Sequence, residues 1–233
     1  MSQSIDSSIP THIGLILDGN RRWAKEHGLS VEEGHRQGYL TLRTIVSAAG
    51  RHGIKYLSAY VFSSENWQRD KTEVRDIMKL LNWVLKHEIK GLNKEGIQVR
   101  FIGSKLKFGA AMVRSILWAE ELTKQNTRGT LLLCLDYGGQ QEIVDAVKRI
   151  AASGIDPEDI TPELITHHLY APDVPPPDLI IRTSGEQRLS NFMLWGSAYS
   201  ELAFTKTYWP DFSENDLQAM LDDYAKRHRN FGG

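Results

Sequence analysis

A chain of 233 residues is long enough for one full domain around a single core, or for two small ones. With 28 Lys and Arg against 29 Asp and Glu, a formal net charge of −1 excludes a broad basic surface for nucleic acid. A single cysteine excludes an internal disulfide framework, and no run of about 20 apolar residues reads as a membrane span.

Residues 1–11 read as a flexible N-terminal segment and 12–233 as one domain. The first ten residues are polar and Ser-rich, unlike a secretory leader, so a reducing cytoplasm is the expected location. The apolar run 13–17 predicts a buried strand over 12–17. It delivers Asp18-Gly19-Asn20-Arg21-Arg22-Trp23 into a helix predicted over 20–27. Glycine lets the backbone approach an anion, a helix start offers free N–H groups, and arginines supply forked donors for phosphate. The acid is out of place in a purely anion-binding loop. It makes sense if a cation such as Mg²⁺ sits between it and phosphate oxygens.

A helix over 33–52 and a strand over 55–62 come next. Beyond that strand lies Ser63-Ser64-Glu65-Asn66-Trp67-Gln68-Arg69, and open α/β sheets bind ligands beyond the carboxyl ends of their strands. A turn that merely caps the next helix accounts for Glu73, at capping-box spacing from Asp70, but poorly for Arg69. The helix predicted over 71–94 carries Val74, Ile77, Met78, Leu81, Val84, Leu85, Ile89 and Leu92 on one stripe. Ordinary packing explains most of that stripe. Leu80 and Trp83 widen it, and part of the widened face is a candidate wall for an apolar tunnel.

Strands over 97–103, 129–135, 178–182 and 201–205 alternate with helices over 107–125, 139–152, 162–169 and 213–228. Cys134 falls in an apolar run as a buried strand residue, and His167-His168 lack partners at a zinc spacing. Pro175-Pro176-Pro177 is a stiff loop entering a strand. After 178–182 comes a third cluster, Arg182-Thr183-Ser184-Gly185-Glu186-Gln187-Arg188-Leu189-Ser190-Asn191. It reads equally as a solvated loop or as a second anion site. Alternating elements predict an α/β domain with a mostly parallel six-stranded sheet flanked by helices. Three such clusters on one rim would hold two diphosphate groups at once.

These residues resemble the cis-prenyltransferases of the undecaprenyl diphosphate synthase family from about His12 to the C-terminus. The shared motifs are Asp-Gly-Asn-x-Arg-Trp-Ala at 18–24, Gly34-His35, Phe-Ser-Ser-Glu-Asn-Trp at 62–67 with Arg69 and Glu73, Asn126, Tyr-Gly-Gly at 137–139, Asp-Leu-Ile-Ile-Arg-Thr at 178–183, Gly185-Glu186, Arg-Leu-Ser-Asn at 188–191, Glu201-Leu202 and Trp209-Pro210. The resemblance implies repeated condensation of isopentenyl diphosphate onto an allylic diphosphate, usually farnesyl diphosphate, with cis double bonds. It also implies Mg²⁺, a homodimer, and an apolar tunnel between sheet and helices, with Val61, Leu81 and Leu85 as its expected lining. Asp18 would bind Mg²⁺ with Glu201 and assist departure of the allylic diphosphate. Gly19, Asn20, Arg21, Arg22, Trp23 and His35 would hold that diphosphate. Arg182, Arg188, Leu189 and Ser190 would hold isopentenyl diphosphate. Ser63, Ser64, Glu65, Asn66, Trp67 and Arg69 would orient the reacting ends, supported by Glu73 and Glu186. Asn66, often given the role of base, is a neutral amide and fits positioning better. A carrier lipid precursor for the cell wall is the expected product class, with peripheral membrane contact for its release.

Two positions depart from the pattern. Val31 stands where relatives usually place an arginine that grips the allylic diphosphate, with Arg21 or Arg36 as candidate substitutes. Val61 stands where many long-chain members have alanine, and its extra bulk favours a shorter product. Two other classes compete. A non-catalytic partner subunit would lose the acid and arginines that Asp18, Arg22, Arg182 and Arg188 supply. A phosphatase using Asp18 as nucleophile would release phosphate from simple esters.

Overall fold

The computed structural model describes residues 9–227, so the residues 1–8 of the expected N-terminal segment and 228–233 lie outside the described part. Among the described residues, β1 (His12–Ile16), β2 (Tyr56–Ser63), β3 (Ile97–Ile102), β4 (Gly129–Tyr137), β5 (Leu179–Arg182) and β6 (Glu201–Phe204) form one sheet. Its order is β3-β4-β2-β1-β5-β6, and every neighbouring pair is parallel. The helices are α1 (Asn20–Glu26), α2 (Val31–Arg51), α3 (Lys71–His87), α4 (Ile89–Lys94), α5 (Ala110–Thr123), α6 (Gly139–Ala152), α7 (Pro162–His167) and α8 (Glu214–Lys226).

A parallel sheet is covered on both faces, which is why β1 and β5 are apolar-rich and buried at every position. The two-residue period of β4 shows both layers. Leu131, Leu133 and Leu135 join the larger core with residues of α2, α3, α4 and α8, while Leu132 and Cys134 join a smaller core with Ile180 and Phe192 on the other face. The strand order reverses beside β1, with β2 on one side and β5 on the other. Ligands of open α/β sheets bind at such switch points. The three polar clusters follow β1, β2 and β5 and so meet there.

Several boundaries differ from the sequence expectation, each for a local reason. Helix α2 starts two residues early because Ser30 caps it. Its hydroxyl accepts from Glu33 N–H at 3.2 Å, while the Glu33 carboxylate accepts from Ser30 N–H at 2.8 Å. The expected helix over 71–94 breaks at Glu88 into α3 and α4. Strand β4 continues to Tyr137, and two bulges lie where it pairs with β2. Tyr60 faces Cys134 and Phe62 faces Leu135, so Val61 is the extra residue; Ser63 then faces Tyr137, so Asp136, at φ 46°, is extra on β4. Strict alternation therefore fails at the rim, and Val61 and Phe62 both pack toward the larger core.

Close contact between α1 and α2 explains the Gly34-His35 pair. A Cβ on Gly34 would stand 2.4 Å from the Asn20 carbonyl oxygen, and one on Gly38 would stand 2.3 Å from Asn20 Oδ1. Only glycine lets α2 pass this near the first turn of α1.

Candidate active site

Asp18 is fixed at the end of β1 by its own backbone. Its N–H donates to Thr183 Oγ1 at 3.0 Å, the Thr183 hydroxyl donates to the Asp18 carbonyl at 2.6 Å, and Trp209 N–H reaches the same carbonyl at 3.0 Å. The side chain is thereby aimed at two arginines. Arg182 Nη2 donates to Oδ2 at 2.8 Å and Arg22 Nη2 to Oδ1 at 3.3 Å. Arg182 is buried, and its Nη1 donates to Ser190 Oγ at 2.8 Å and to the Arg188 carbonyl at 2.5 Å. Its Nε is buried without a protein partner. Glu186 links the neighbouring cations, 2.5 Å from Arg188 and 3.6 Å from Arg22.

A second cluster faces the first across the mouth. Glu73 does not close a capping box: Asp70 alone caps α3, accepting from the Thr72 and Glu73 N–H groups. The Glu73 carboxylate instead pairs with Arg69 at 2.8 Å and Arg21 at 3.5 Å. His35 lies among these groups, and burial lowers its pKa below the ordinary histidine value despite the carboxylate of Glu73. Its ring is thus held neutral between two guanidinium groups.

The loop after β2 is folded on itself. Asn66 Oδ1 accepts from Ser63 N–H at 3.1 Å. Glu65 accepts from Asn191 Nδ2 at 2.8 Å, tying this loop to the one after β5. The latter holds Ser184, Ser190, Asn191 and Met193 at positive φ, strain that clusters at functional sites.

Behind this rim opens a cavity of about 1150 Å³ between the sheet and α2, α3 and α4. Its mouth carries Asp18, Gly19, Asn20, Arg21, Arg22, His35, Ser63, Glu65, Asn66, Arg69, Arg182 and Ser190. Its interior is mostly apolar, with Leu42, Val61, Ile77, Leu81 and Leu133 on the wall. Charged groups at the opening and hydrocarbon within suit a ligand with an anionic head and an apolar tail.

Some expected residues stand elsewhere. Leu85 is 2% exposed and lies in the core, off the cavity wall. Trp23 stacks on His27 and donates to Asp211 at 2.7 Å. Trp67 donates to Asp136 at 2.8 Å and packs on Phe62 and Phe108. Ser64 sits by Gly138 and Leu189 packs in the smaller core, both off the wall. Arg188 is turned outward on Glu186.

Glu201 is the main correction. It is the first residue of β6, in register with Leu179 and through it with Ile13, whereas Asp18 lies beyond the far end of β1. About five residues of strand rise, roughly 16 Å, separate their levels. The Glu201 carboxylate accepts from Arg227 at 2.7 Å. One chain does not bring Asp18 and Glu201 to a common cation, and no cluster of three or more acidic, His or Cys ligands exists among the described residues.

Sequence reading missed Lys25, Tyr39 and Arg43 on the wall, Tyr208 under Arg22, and the Thr183 clasp on Asp18. The α2 residues were legible in principle, because Tyr39 and Arg43 follow Val31 and His35 at four-residue steps along one face. Arg36, the alternative to a cation at position 31, is exposed and off the wall, while Arg21 and Lys25 are on it.

Residues 16–232 match the family model described as putative undecaprenyl diphosphate synthase. The chain is 46% identical over 233 residues to an isoprenyl transferase of Clostridium perfringens, covering 98% of this chain and 92% of that protein. It is 42% identical over 229 residues to a Thermobifida fusca trans,polycis-polyprenyl diphosphate synthase ((2Z,6E)-farnesyl diphosphate specific), covering 97% and 81%. Among solved structures, lavandulyl diphosphate synthase from Lavandula x intermedia, in complex with dimethylallyl diphosphate, aligns with a TM-score of 0.94 at 37% identity, covering 97% of this chain and 100% of that one. A probable undecaprenyl diphosphate synthase from Campylobacter jejuni aligns with a TM-score of 0.83 at 28% identity, covering 97% and 99%.

Proposed function

The chain belongs to the undecaprenyl diphosphate synthase family of isoprenyl transferases, and we propose that it condenses isopentenyl diphosphate repeatedly onto an allylic diphosphate, with farnesyl diphosphate as the first candidate primer. The product is a polyprenyl diphosphate with new cis double bonds, of the kind used as a carrier lipid precursor. The observation that carries this reading is the placing of four arginines, Arg21, Arg22, Arg69 and Arg182, and Asp18 around the mouth of an apolar cavity of about 1150 Å³.

The allylic diphosphate is assigned to Asn20, Arg21, Arg22, His35 and Arg69, with its tail in the cavity. Gly19, at φ 112°, shapes the turn that brings backbone near the anion. Without ligand these arginines are balanced by Asp18, Glu73 and Glu186. An arriving diphosphate competes for the same donors, and charge-assisted bonds to its oxygens stabilise the leaving group as the allylic bond breaks. The apolar wall keeps water from the allylic cation. Isopentenyl diphosphate is assigned to Arg182, Ser190 and Arg188, the last after leaving Glu186. Asn66 orients the reacting ends: its oxygen accepts from Ser63 N–H, and a neutral amide is too weak a base to take the proton. The proton from C2 passes to the departing diphosphate or to Asp18.

Mg²⁺ fits this site through Asp18 alone among the expected ligands. A hard carboxylate on a diphosphate-binding rim is the donor such an ion shares with substrate oxygens. Bound there, the ion would supply charge neutralisation to the leaving group.

We assign the working form as a cytoplasmic homodimer that meets the membrane only peripherally. No helix among the described residues is long and apolar enough to cross a membrane. Trp209, Phe212, Leu217, Leu221 and Tyr224 pack in the chain's own core and so do not supply an apolar dimer surface. Support moves to α5, where Leu117, Trp118 and Leu122 are exposed.

The test is incubation with Mg²⁺, labelled isopentenyl diphosphate and a panel of allylic primers, followed by chromatography. Labelled, lengthened products that vanish with EDTA and return with Mg²⁺ are expected. Absence of transfer to every primer overturns the reading.

A further inference from the structure

The inner face of α3 is spent on the cavity, where Ile77, Leu80, Leu81 and Val84 form part of the wall. The opposite face carries cations. Lys71, Arg75 and Lys79 follow one another at four-residue steps, then Trp83 and Lys86, and all five are exposed. Lys90 is exposed on α4. Residues 71–94 hold six Lys and Arg against three acids, in a chain of formal net charge −1. Two of those acids are turned away from this face: Glu73 pairs with Arg69 and Arg21 at the mouth, and Glu88 lies 3.9 Å from Arg43. The third, Asp76, is shared by Lys79 at 2.9 Å and Arg75 at 3.7 Å. Lys71, Lys86 and Lys90 have no carboxylate partner among the described residues.

Like charges at four-residue steps repel along a helix, so this stripe does nothing for the stability of α3 by itself. A surface of opposite charge would offset the repulsion. Trp83 adds a second property. It is exposed among the cations, with its ring held by the edge of Tyr39 at 6.0 Å and by stacked His87 at 5.4 Å. A fixed indole beside Lys and Arg suits the boundary between lipid headgroups and hydrocarbon, where aromatic side chains place one end in each phase. From Lys71 to Lys86 the stripe runs about 22 Å along the helix, a straight edge that a flat surface can meet throughout.

We propose that the outer face of α3, continued by Lys90, docks the protein on an anionic lipid bilayer. The proposal names the surface and the lipid charge for the peripheral membrane contact of the prenyltransferase reading, and its purpose rests on that reading. One helix then separates the cavity that holds the tail from the bilayer that receives it.

The test is co-sedimentation of the full chain with vesicles of phosphatidylcholine alone or mixed with phosphatidylglycerol. Wild type should bind the mixed vesicles, release at high salt, and ignore phosphatidylcholine. The triple variant Lys71→Gln/Lys86→Gln/Lys90→Gln, which breaks no ion pair, should bind on the order of a hundredfold more weakly, at about fivefold for each cation removed. A second triple variant, Lys124→Gln/Lys148→Gln/Lys226→Gln, removes the same charge from exposed positions on other elements and should bind as wild type does. Trp83→Ala should weaken binding severalfold with every cation kept. No binding to mixed vesicles would overturn the docking surface. So would equal loss in the two triple variants, which would mean net charge alone, or equal binding to phosphatidylcholine. Salt-sensitive retention of single-stranded RNA as tight as that of mixed vesicles would overturn the assignment to lipid. Without vesicles, the first condensation should run at the wild-type rate in both triple variants. Wild type that binds mixed vesicles but transfers no isoprene unit would leave the docking surface standing and end the prenyltransferase reading.

Discussion

Asp18 holds two arginines, Arg22 and Arg182, on its two carboxylate oxygens, so its removal frees the cations as well as deleting the metal donor. Asp18→Ala should cut turnover on the order of 10³-fold, as when charge stabilisation of a leaving group is lost, and change substrate binding far less. Retention of a third of the activity would contradict this. The arginines divide by position. Arg22→Ala should raise KM for the allylic primer, and Arg188→Ala that for isopentenyl diphosphate, each losing charge-assisted bonds of about 1.5–3 kcal/mol. Varying each substrate in turn decides, and a shift in the same KM for both variants would mean that one diphosphate uses both residues. Val61 lies on the cavity wall as a bulge residue. Overfilling a wall costs about 1–3 kcal/mol, so Val61→Leu should shorten the products, and Val61→Ala should lengthen them. Val31→Arg acts at the mouth and should tighten primer binding without changing length. Identical product profiles for the Val61 variants would remove that position from length control.

At the scale of elements, the glycine crossing of α2 over α1 places Asn20 and His35. Gly34→Ala drives a methyl group into the Asn20 carbonyl, and backbone cannot give way as a side chain can. The variant should lose about 1–3 kcal/mol of stability and show a raised primer KM. An unchanged denaturation midpoint would contradict the packing argument. Apolar runs made all six strands legible, and Asp70 marked the start of α3. What escaped depended on neighbours. The bulges at Val61 and Asp136 arise from pairing of β2 with β4, and the break at Glu88 turns a carboxylate toward Arg43. Neither leaves a local signal. The position of Glu201 was readable: a residue that starts a parallel strand lies at the end of the sheet opposite to the loops that follow other strands.

For the whole molecule, the sheet is joined at its lower end by His12, which is fully buried on β1. Its Nδ1–H donates to the Pro175 carbonyl at 2.6 Å, and its Nε2 accepts from the Ser58 hydroxyl at 2.8 Å. Burial pushes its pKa down to about 4 from 6.5, outweighing the carbonyl bond and the charge of Asp178. The unfolded chain therefore takes up this proton first. The contribution of neutral His12 is complete above pH 6.5 and is lost as the pH falls toward 4, on the order of 3 kcal/mol. Denaturant titrations at the two pH values should show a smaller acid loss in His12→Gln than in wild type, and equal losses would contradict the assignment. The chemistry of the rim was legible because charged motifs fall after strands, whereas the depth of the cavity is a tertiary property that no motif states. Light scattering should find a dimer at assay concentration, and a fully active monomer would contradict that assignment. The most direct measurement is a crystal structure with Mg²⁺ and an unreactive thio-analogue of farnesyl diphosphate. The account predicts the diphosphate on Arg21, Arg22 and His35 beside Asp18, with the tail running between the sheet and α2 toward Arg43. A tail lying outside the cavity, or a diphosphate held away from Asp18, would contradict it.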